Sequence, residues 1–283
     1  MKFFWMALIA AVILFLIVMI VIDSNRFVIR KYVIDSDKVD KDHCFVFISD
    51  LHNKVYGKDN SGLYDAIAEI DPETVIIGGD LMTAYPGRDF SAAVDFVKNV
   101  GEKYPIVYAL GNHEYRARIY PDVYGTLYDD YRKAVNEHGV DFLDNAGVKI
   151  ADDVTVYGLT MDAIYYKRFT HHPMADDYVE QVLGKKDPDG FSILLAHDPD
   201  YFPAYSKWEP DLVLSGHIHG GVARIPGWKG VISPMWRLFP KYDGGRFDEF
   251  GSTMIISRGL GMHTIPLRLF NPAEIVVIDI KKE

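Results

Sequence analysis

Five short runs of β-branched and other apolar residues recur between positions 44 and 216, and each stops at residue types that bind metals. They are CFVFIS (44–49), TVIIGG (74–79), PIVYAL (105–110), FSILLA (191–196) and DLVLSG (211–216). Runs this short, bounded by turn residues, read as strands buried on both faces. Between them, 62–70, 90–103, 122–138 and 174–183 carry apolar residues at helical spacing, and Gly184 is a natural stop for the last. KIADDVTVYGL (149–159) reads as a hairpin turning at Asp152-Asp153, and STMIIS (252–257) and EIVVIDI (274–280) add two strands. Strands alternating with helices, plus consecutive strands, predict an α/β layered domain with two sheets in its core. In such domains functional side chains collect at the carboxyl ends of strands.

The residues at those ends are the informative ones. After the first run come Asp50-Leu51-His52, after the second Asp80, and after the third Gly111-Asn112-His113-Glu114. After the fourth comes His197, and after the fifth His217-Ile218-His219, followed by Gly220-Gly221. Taken singly, each has a plain structural reading. Aspartate caps turns, asparagine tolerates positive φ, and a lone histidine is more often a satisfied core side chain. GNHE is more specific, and GHIHGG more so, with two histidines flanked by glycines that let backbone approach closely. Four histidines, two aspartates and one asparagine in a single repeated context imply metal. Carboxylates with imidazoles suit Mn²⁺, Fe or Zn²⁺. Seven donors exceed what one ion takes while leaving room for substrate, so two divalent ions sharing a carboxylate are expected.

The ordered set DLH…GGD…GNHE…AHDP…SGHIHGG resembles the signature of the calcineurin-like metallophosphoesterases. The later run SRGLGMHTIPLRLFNPAEIVVIDI resembles the carboxyl end of the bacterial membrane-associated phosphodiesterase subgroup. The resemblance implies a four-layer β-sandwich flanked by helices. It assigns one ion to Asp50, His52 and His219, the other to Asn112, His197 and His217, and the bridging position to Asp80. His113 matches the family's non-ligand histidine, a general acid near the leaving group. Glu114 stands where many members have aspartate, and its implied role is to orient His113. The implied reaction is hydrolysis of a phosphodiester or pyrophosphate bond by metal-activated water, in a phosphorylated small molecule or a lipid-linked or envelope precursor. A protein phosphatase would carry a phosphate-clamping arginine soon after the bridging aspartate, whereas Leu81, Met82 and Thr83 follow Asp80. A non-catalytic scaffold would show gaps in the ligand set, and none is visible.

Positions 3–22 form an unbroken apolar stretch without a charge. As a helix it would span roughly 30 Å, enough for a bilayer core. Val21-Ile22-Asp23-Ser24 offers no A-x-A-like cleavage site, so an uncleaved transmembrane anchor (1–23) is expected ahead of one catalytic domain (24–283). Lys2 precedes the stretch and Arg26, Arg30 and Lys31 follow it, which leaves the side of the membrane open. The formal net charge of −10 argues against nucleic acid as partner, though bound cations would still admit a phosphorylated substrate. No protein partner is implied. Cys44, the only cysteine, excludes an intrachain disulfide and reads as a buried, inert thiol.

Ser49 and Ser215 read as structural, His43 and His138 as surface residues, and His171-His172 as a surface loop or a pocket mouth. His263, after the SRGLG run, has no assignment. Trp228, Trp236, Phe239, Tyr242 and Phe247 interleave with Arg237, Lys241 and Arg246. That segment is either a loop packed on the sheet or a membrane-facing lip.

Overall fold

The structure, a computed structural model, describes residues 1–262 and 266–283. The apolar N-terminal stretch forms one helix, α1 (Lys2–Asn25), and after Arg26 the chain enters β1 (Phe27–Ser36). There follow β2 (His43–Ile48), α2 (Ser61–Ile70), β3 (Thr74–Ile77), α3 (Ser91–Gly101) and β4 (Ile106–Ala109). Three helices come next, α4 (Asn112–Ile119), α5 (Pro121–Tyr124) and α6 (Leu127–Asn136). The chain continues through β5 (Phe142–Leu143), β6 (Ala146–Ala151), β7 (Val154–Leu159), α7 (Tyr178–Leu183), β8 (Phe191–Ala196) and α8 (Phe202–Tyr205). It ends with β9 (Leu212–Ser215), β10 (Gly245–Glu249), β11 (Ser252–Ile256) and β12 (Ala273–Lys282).

The strands form two six-stranded sheets, ordered β1-β12-β2-β3-β4-β5 and β10-β11-β9-β8-β7-β6. Strands β2 to β5 run parallel, as do β7, β8, β9 and β11, while β12 runs antiparallel to β2. The period-two alternation of side chains splits each buried run between two cores. Phe45 and Phe47 of β2 enter the space between the sheets with Ile193, Leu214 and Ile278. Their neighbours Val46 and Ile48 pack with Leu63, Ile67 and Phe96 of α2 and α3. On the far side Leu194, Val213 and Met254 pack against Phe202, Tyr205 and Trp208. The result is the expected α/β architecture, helix, sheet, sheet, helix in four layers, and it explains why these strands lack a polar face.

Several boundaries differ from the sequence reading. Strand β1 was not expected, because Arg30 and Lys31 interrupt its apolar run. It lies parallel to β12, from Phe27 opposite Ala273 to Ser36 opposite Lys282, and those two cations pair with Glu274 and Asp279 of β12. The short β5 and the polar β10 were likewise missed. The helix expected over 122–138 is divided at Gly125, whose φ of +62° ends α5. Only the last part of 174–183 is helical. GNHE opens α4 instead of lying in a loop.

His43 is a correction. It is buried, its Nδ1 lies 3.0 Å from Glu73 Oε2, and its Nε2 lies 2.9 Å from Asp153 Oδ1. One imidazole thus ties the start of β2 to the β6–β7 turn of the opposite sheet. The surface reading failed because both partners are remote in sequence. His138 is half-buried, and so is Cys44, whose thiol is pushed up to about 11 by burial and by Asp279. Replacing His43 by alanine leaves two carboxylates without their shared partner. His43→Ala is therefore expected to destabilise the fold by about 1–3 kcal/mol in denaturant titrations, and an unchanged midpoint would refute the pinning role.

Candidate metal centre

All seven candidate ligands lie at carboxyl ends of strands from both sheets. Asp50 and His52 follow β2, Asp80 follows β3, and Asn112 begins α4 just past β4. His197 follows β8, and His217 and His219 follow β9. Five of the seven hold left-handed backbone, with φ of 54° at Asp50, 49° at His52, 55° at Asp80, 67° at His217 and 53° at His219. Each such residue costs on the order of 1–3 kcal/mol unless its surroundings enforce it. Here the enforcement is visible. Asp50 N donates to Gly79 O, His52 N to Asp80 O and Gly216 N to His197 O, each at 3.0 Å. A Cβ on Gly216 would overlap Ser49 Oγ and Asp50 Oδ2, and one on Gly111 would overlap the Asp80 carboxylate. Those two glycines let the loops close on each other.

The side chains converge in two groups. In the first, His219 Nε2 lies 3.3 Å and His52 Nε2 3.7 Å from Asp50 Oδ1, and the two imidazole nitrogens are 3.2 Å apart. In the second, Asp80, His197 and His217 each offer a ligand atom within 4.8 Å of the others. Asp80 Oδ2 stands between the groups, 3.2 Å from His197 Nε2 and 3.8 Å from His52 Nε2.

Among the described residues, four buried atoms of the candidate ligands have no hydrogen-bond partner: Asn112 Oδ1, His197 Nε2, His217 Nε2 and His219 Nδ1. Buried polar atoms are nearly always satisfied, so orphans concentrated on the candidate ligands fit a cation as their partner. Other contacts fix which atoms face inward. His197 Nδ1 lies 2.7 Å from Gly78 O, which makes that nitrogen the donor and leaves the Nε2 lone pair for a metal. His52 Nδ1 lies 3.3 Å from Thr83 Oγ1. Ser49 Oγ donates to Asp50 Oδ2 at 2.6 Å, and Ser215 Oγ donates to Ala196 O at 2.6 Å, the structural roles expected of both serines.

The charge balance agrees with this donor set. Burial alone would raise Asp50 and Asp80, but the histidines around them hold both carboxyls well below the usual range. Burial would lower His197, yet Asp80 and Asp50 pull it up to about 10. A fully buried centre that retains two carboxylates and draws positive charge is chemically suited to divalent ions.

Glu114 and His113 sit beside this cluster with partners the sequence did not reveal. Glu114 is buried and accepts hydrogen bonds from Asp80 N at 2.9 Å, Gly111 N at 3.1 Å and Tyr108 Oη at 2.8 Å. Burial, and then Asp80, raise its carboxyl to about 7. At His113, Nδ1 accepts from Ala84 N at 2.9 Å, with Arg116 Nη2 at 3.1 Å. The orienting contact assigned from sequence to Glu114 is thus supplied at Nδ1 by Ala84 and Arg116, while Glu114 braces the loops carrying Asp80 and Asn112. Arg116, Tyr166, Arg168, Pro234 and Met235 join the ligands around a cavity of about 50 Å³. None of these five carried a sequence signal: Arg116 lies on α4 just past the GNHE run, and the other four lie in segments with no motif. His171 stacks on Tyr201 at 5.1 Å, and His263 lies outside the described residues.

A model of the calcineurin-like phosphoesterase family matches residues 45–221. An uncharacterized metallophosphoesterase of Helicobacter pylori is 28% identical over 88% of this chain and 63% of its own length. The metallophosphoesterase YkuE of Bacillus subtilis is 25% identical over 76% of this chain and 70% of its own. A transmembrane protein with a metallophosphoesterase domain from Danio rerio is 27% identical over 84% of this chain and 53% of its own. The chain therefore spans less than two thirds of the Helicobacter pylori relative. The matched region takes in more than half of the 283 residues and all seven candidate ligands, and the chain belongs to the calcineurin-like phosphoesterase family.

Proposed function

We propose that this protein is a phosphoesterase with two divalent ions, held to a membrane by α1 (anchor 1–23, catalytic domain 24–283), that hydrolyses phosphodiester or pyrophosphate bonds. The observation that carries the reading is the set of orphaned buried atoms, Asn112 Oδ1, His197 Nε2 and His217 Nε2, beside the Asp50–His52–His219 group. Asp50, His52 and His219 would hold one ion and Asn112, His197 and His217 the other, with Asp80 shared between them. Mn²⁺, Fe and Zn²⁺ all suit these donors. Bound there, the pair supplies an activated water and neutralises phosphoryl oxygens.

The remaining work falls to the chain's own groups. With Nδ1 accepting from Ala84, the His113 ring carries its proton on Nε2, and that proton passes to the departing oxygen. Glu114 keeps the Asp80 and Asn112 loops in register through its contacts with Asp80 N and Gly111 N. Arg116 and Arg168 add positive charge to the cavity wall, which favours a substrate with anionic groups beyond the reacting phosphate. A phosphorylated small molecule, including a lipid-linked precursor, fits these features. The complete ligand set disfavours a non-catalytic scaffold, and Leu81, Met82 and Thr83 follow Asp80 where a protein phosphatase would carry an arginine.

Chelation by EDTA should abolish hydrolysis of bis-para-nitrophenyl phosphate, Mn²⁺ should restore it, and the diester should be cleaved faster than the monoester. Turnover that survives complete metal removal would end the proposal. His217→Ala and Asp80→Asn should each lower bound metal, read by elemental analysis, and abolish turnover. A His217→Ala protein with full metal content and unaltered rates would contradict the ligand assignment. His113→Ala should keep its metal yet lose about 10²–10⁴-fold in kcat, the usual contribution of a positioned acid. The loss should be greatest for poor leaving groups, and an equal loss for all leaving groups would remove His113 from proton transfer.

A further inference from the structure

The domain does not part from α1 where the helix ends. Leu16, Met19, Ile20, Asp23 and Ser24 are the buried or half-buried residues of this helix. Their spacing places them on one face. At the base of that face, Asn271 N donates to Asp23 Oδ2 at 3.2 Å and Arg268 N donates to Ser24 Oγ at 3.0 Å. Higher up, the Phe270 ring lies 6.2 Å from the ring of Phe15. Phe15 precedes Ile22, the last residue of the apolar stretch, by about two helical turns, or roughly 10 Å along the axis. A bilayer core about 30 Å thick needs the whole stretch. The contact between Phe15 and Phe270 then lies at hydrocarbon depth, and the part of the domain bearing Phe270 lies there with it.

What is attached to Phe270 extends this surface. Arg224 N donates to Leu269 O at 3.0 Å and Leu269 N to Val222 O at 3.3 Å, which joins the Phe270 segment to the loop 221–239. That loop exposes Ile225, Trp228, Trp236, Leu238 and Phe239, with Leu238 67% and Trp228 60% accessible. The Trp228 and Phe239 rings meet at 5.8 Å, so two of the exposed side chains pack on each other. Trp236, Phe239 and Phe270 hold left-handed backbone, at φ of 62°, 48° and 53°, which bulky residues rarely adopt. Such a cluster is unfavourable in water, whereas tryptophan is at home in the interfacial zone of a membrane. The inner side of the same loop is the wall of the metal cavity, through Pro234 and Met235.

We propose that residues 225–239 together with Phe270 form a lip inserted into the bilayer interface. The metal cavity then opens at the membrane surface and takes the phosphate of an amphiphilic ester whose apolar part stays in the lipid. Lipid is the occupant because the surface continues from a helix flank at hydrocarbon depth. This inference rests on the reading of α1 as a membrane span and of the site as a phosphoesterase centre.

The test uses the full chain in nanodiscs of phosphatidylethanolamine and phosphatidylglycerol containing nitroxide-labelled lipid. Cys44→Ser removes the native thiol, and a fluorophore is attached through Trp228→Cys or Leu238→Cys, with Leu8→Cys marking the span and Val148→Cys a remote surface. Lipid nitroxide should quench the labels at 228 and 238 as it does at 8, and leave the label at 148 unquenched. Quenching at 8 without quenching at 228 and 238 overturns the lip and leaves the anchor standing. No quenching at 8 overturns the span, and the inference with it. In a second arm, the double variant Trp228→Ser/Phe239→Ser should cleave soluble bis-para-nitrophenyl phosphate at the parent rate. Its cleavage of an alkyl para-nitrophenyl phosphodiester carried in vesicles should fall by about tenfold or more for each of the two aromatic side chains withdrawn. Equal rates of parent and double variant on the vesicle substrate would refute the lip, whereas a parent inactive on the soluble diester would refute the phosphoesterase reading instead.

Discussion

Asp50 and Asp80 are wholly buried carboxylates set where the carboxyl ends of two sheets meet, and the surrounding loops are shaped by the need to keep them charged. A buried carboxylate without partners is strongly unfavourable. Here Asp50 accepts from Ser49 Oγ and from His217 N, while Asp80 accepts from His113 N at 2.7 Å and faces His197. These donors come from strand ends in both sheets, so the two halves of the sandwich must be in register for either aspartate to be satisfied. The left-handed backbone at five candidate ligands is the local consequence, because it turns each side chain back toward a common centre. Strain of this kind persists at sites where the rest of the fold over-determines the geometry.

Around that centre lies a layer that sets orientation. Gly78 O fixes the tautomer of His197, Ala84 N that of His113, and Glu114 holds Asp80 N and Gly111 N. Tyr108 Oη joins Glu114 to Tyr131 within the helix-side core. The ligand geometry is therefore continuous with hydrophobic packing on one side. On the other it is continuous with the apolar helix α1, because Asn271 links His219 O, through its Nδ2 at 2.8 Å, to Asp23 at the end of α1, through its backbone N–H. Helix α1 and the candidate metal centre are two hydrogen bonds apart.

The central strands were legible because each is a short apolar run closed by a turn residue, and the ligands were legible because each follows such a run. Most of what escaped had its explanation elsewhere in the chain. Strand β1 carries Arg30 and Lys31, which look like solvent-facing charges until Glu274 and Asp279 of β12 come alongside. Gly125 divided a helix that periodicity alone made continuous. Glu114 was expected to orient His113, since they are adjacent in sequence, but the start of α4 turns its carboxylate toward the Asp80 loop.

The sequence by itself determined the alternation of strands and helices, the order of the ligand residues and the apolar helix at the amino terminus. Side-chain period, turn chemistry and metal preference are local properties, written in adjacent residues. Only the tertiary structure decided that His43 is a buried pin and that Arg116 and Ala84 frame His113. It alone decided that Phe270 reaches Phe15 on the apolar helix α1. Each of these depends on a partner outside its own segment, as with the 110 positions that separate His43 from Asp153. No local pattern encodes such a distance, because it is the packing of the two sheets on each other that closes it.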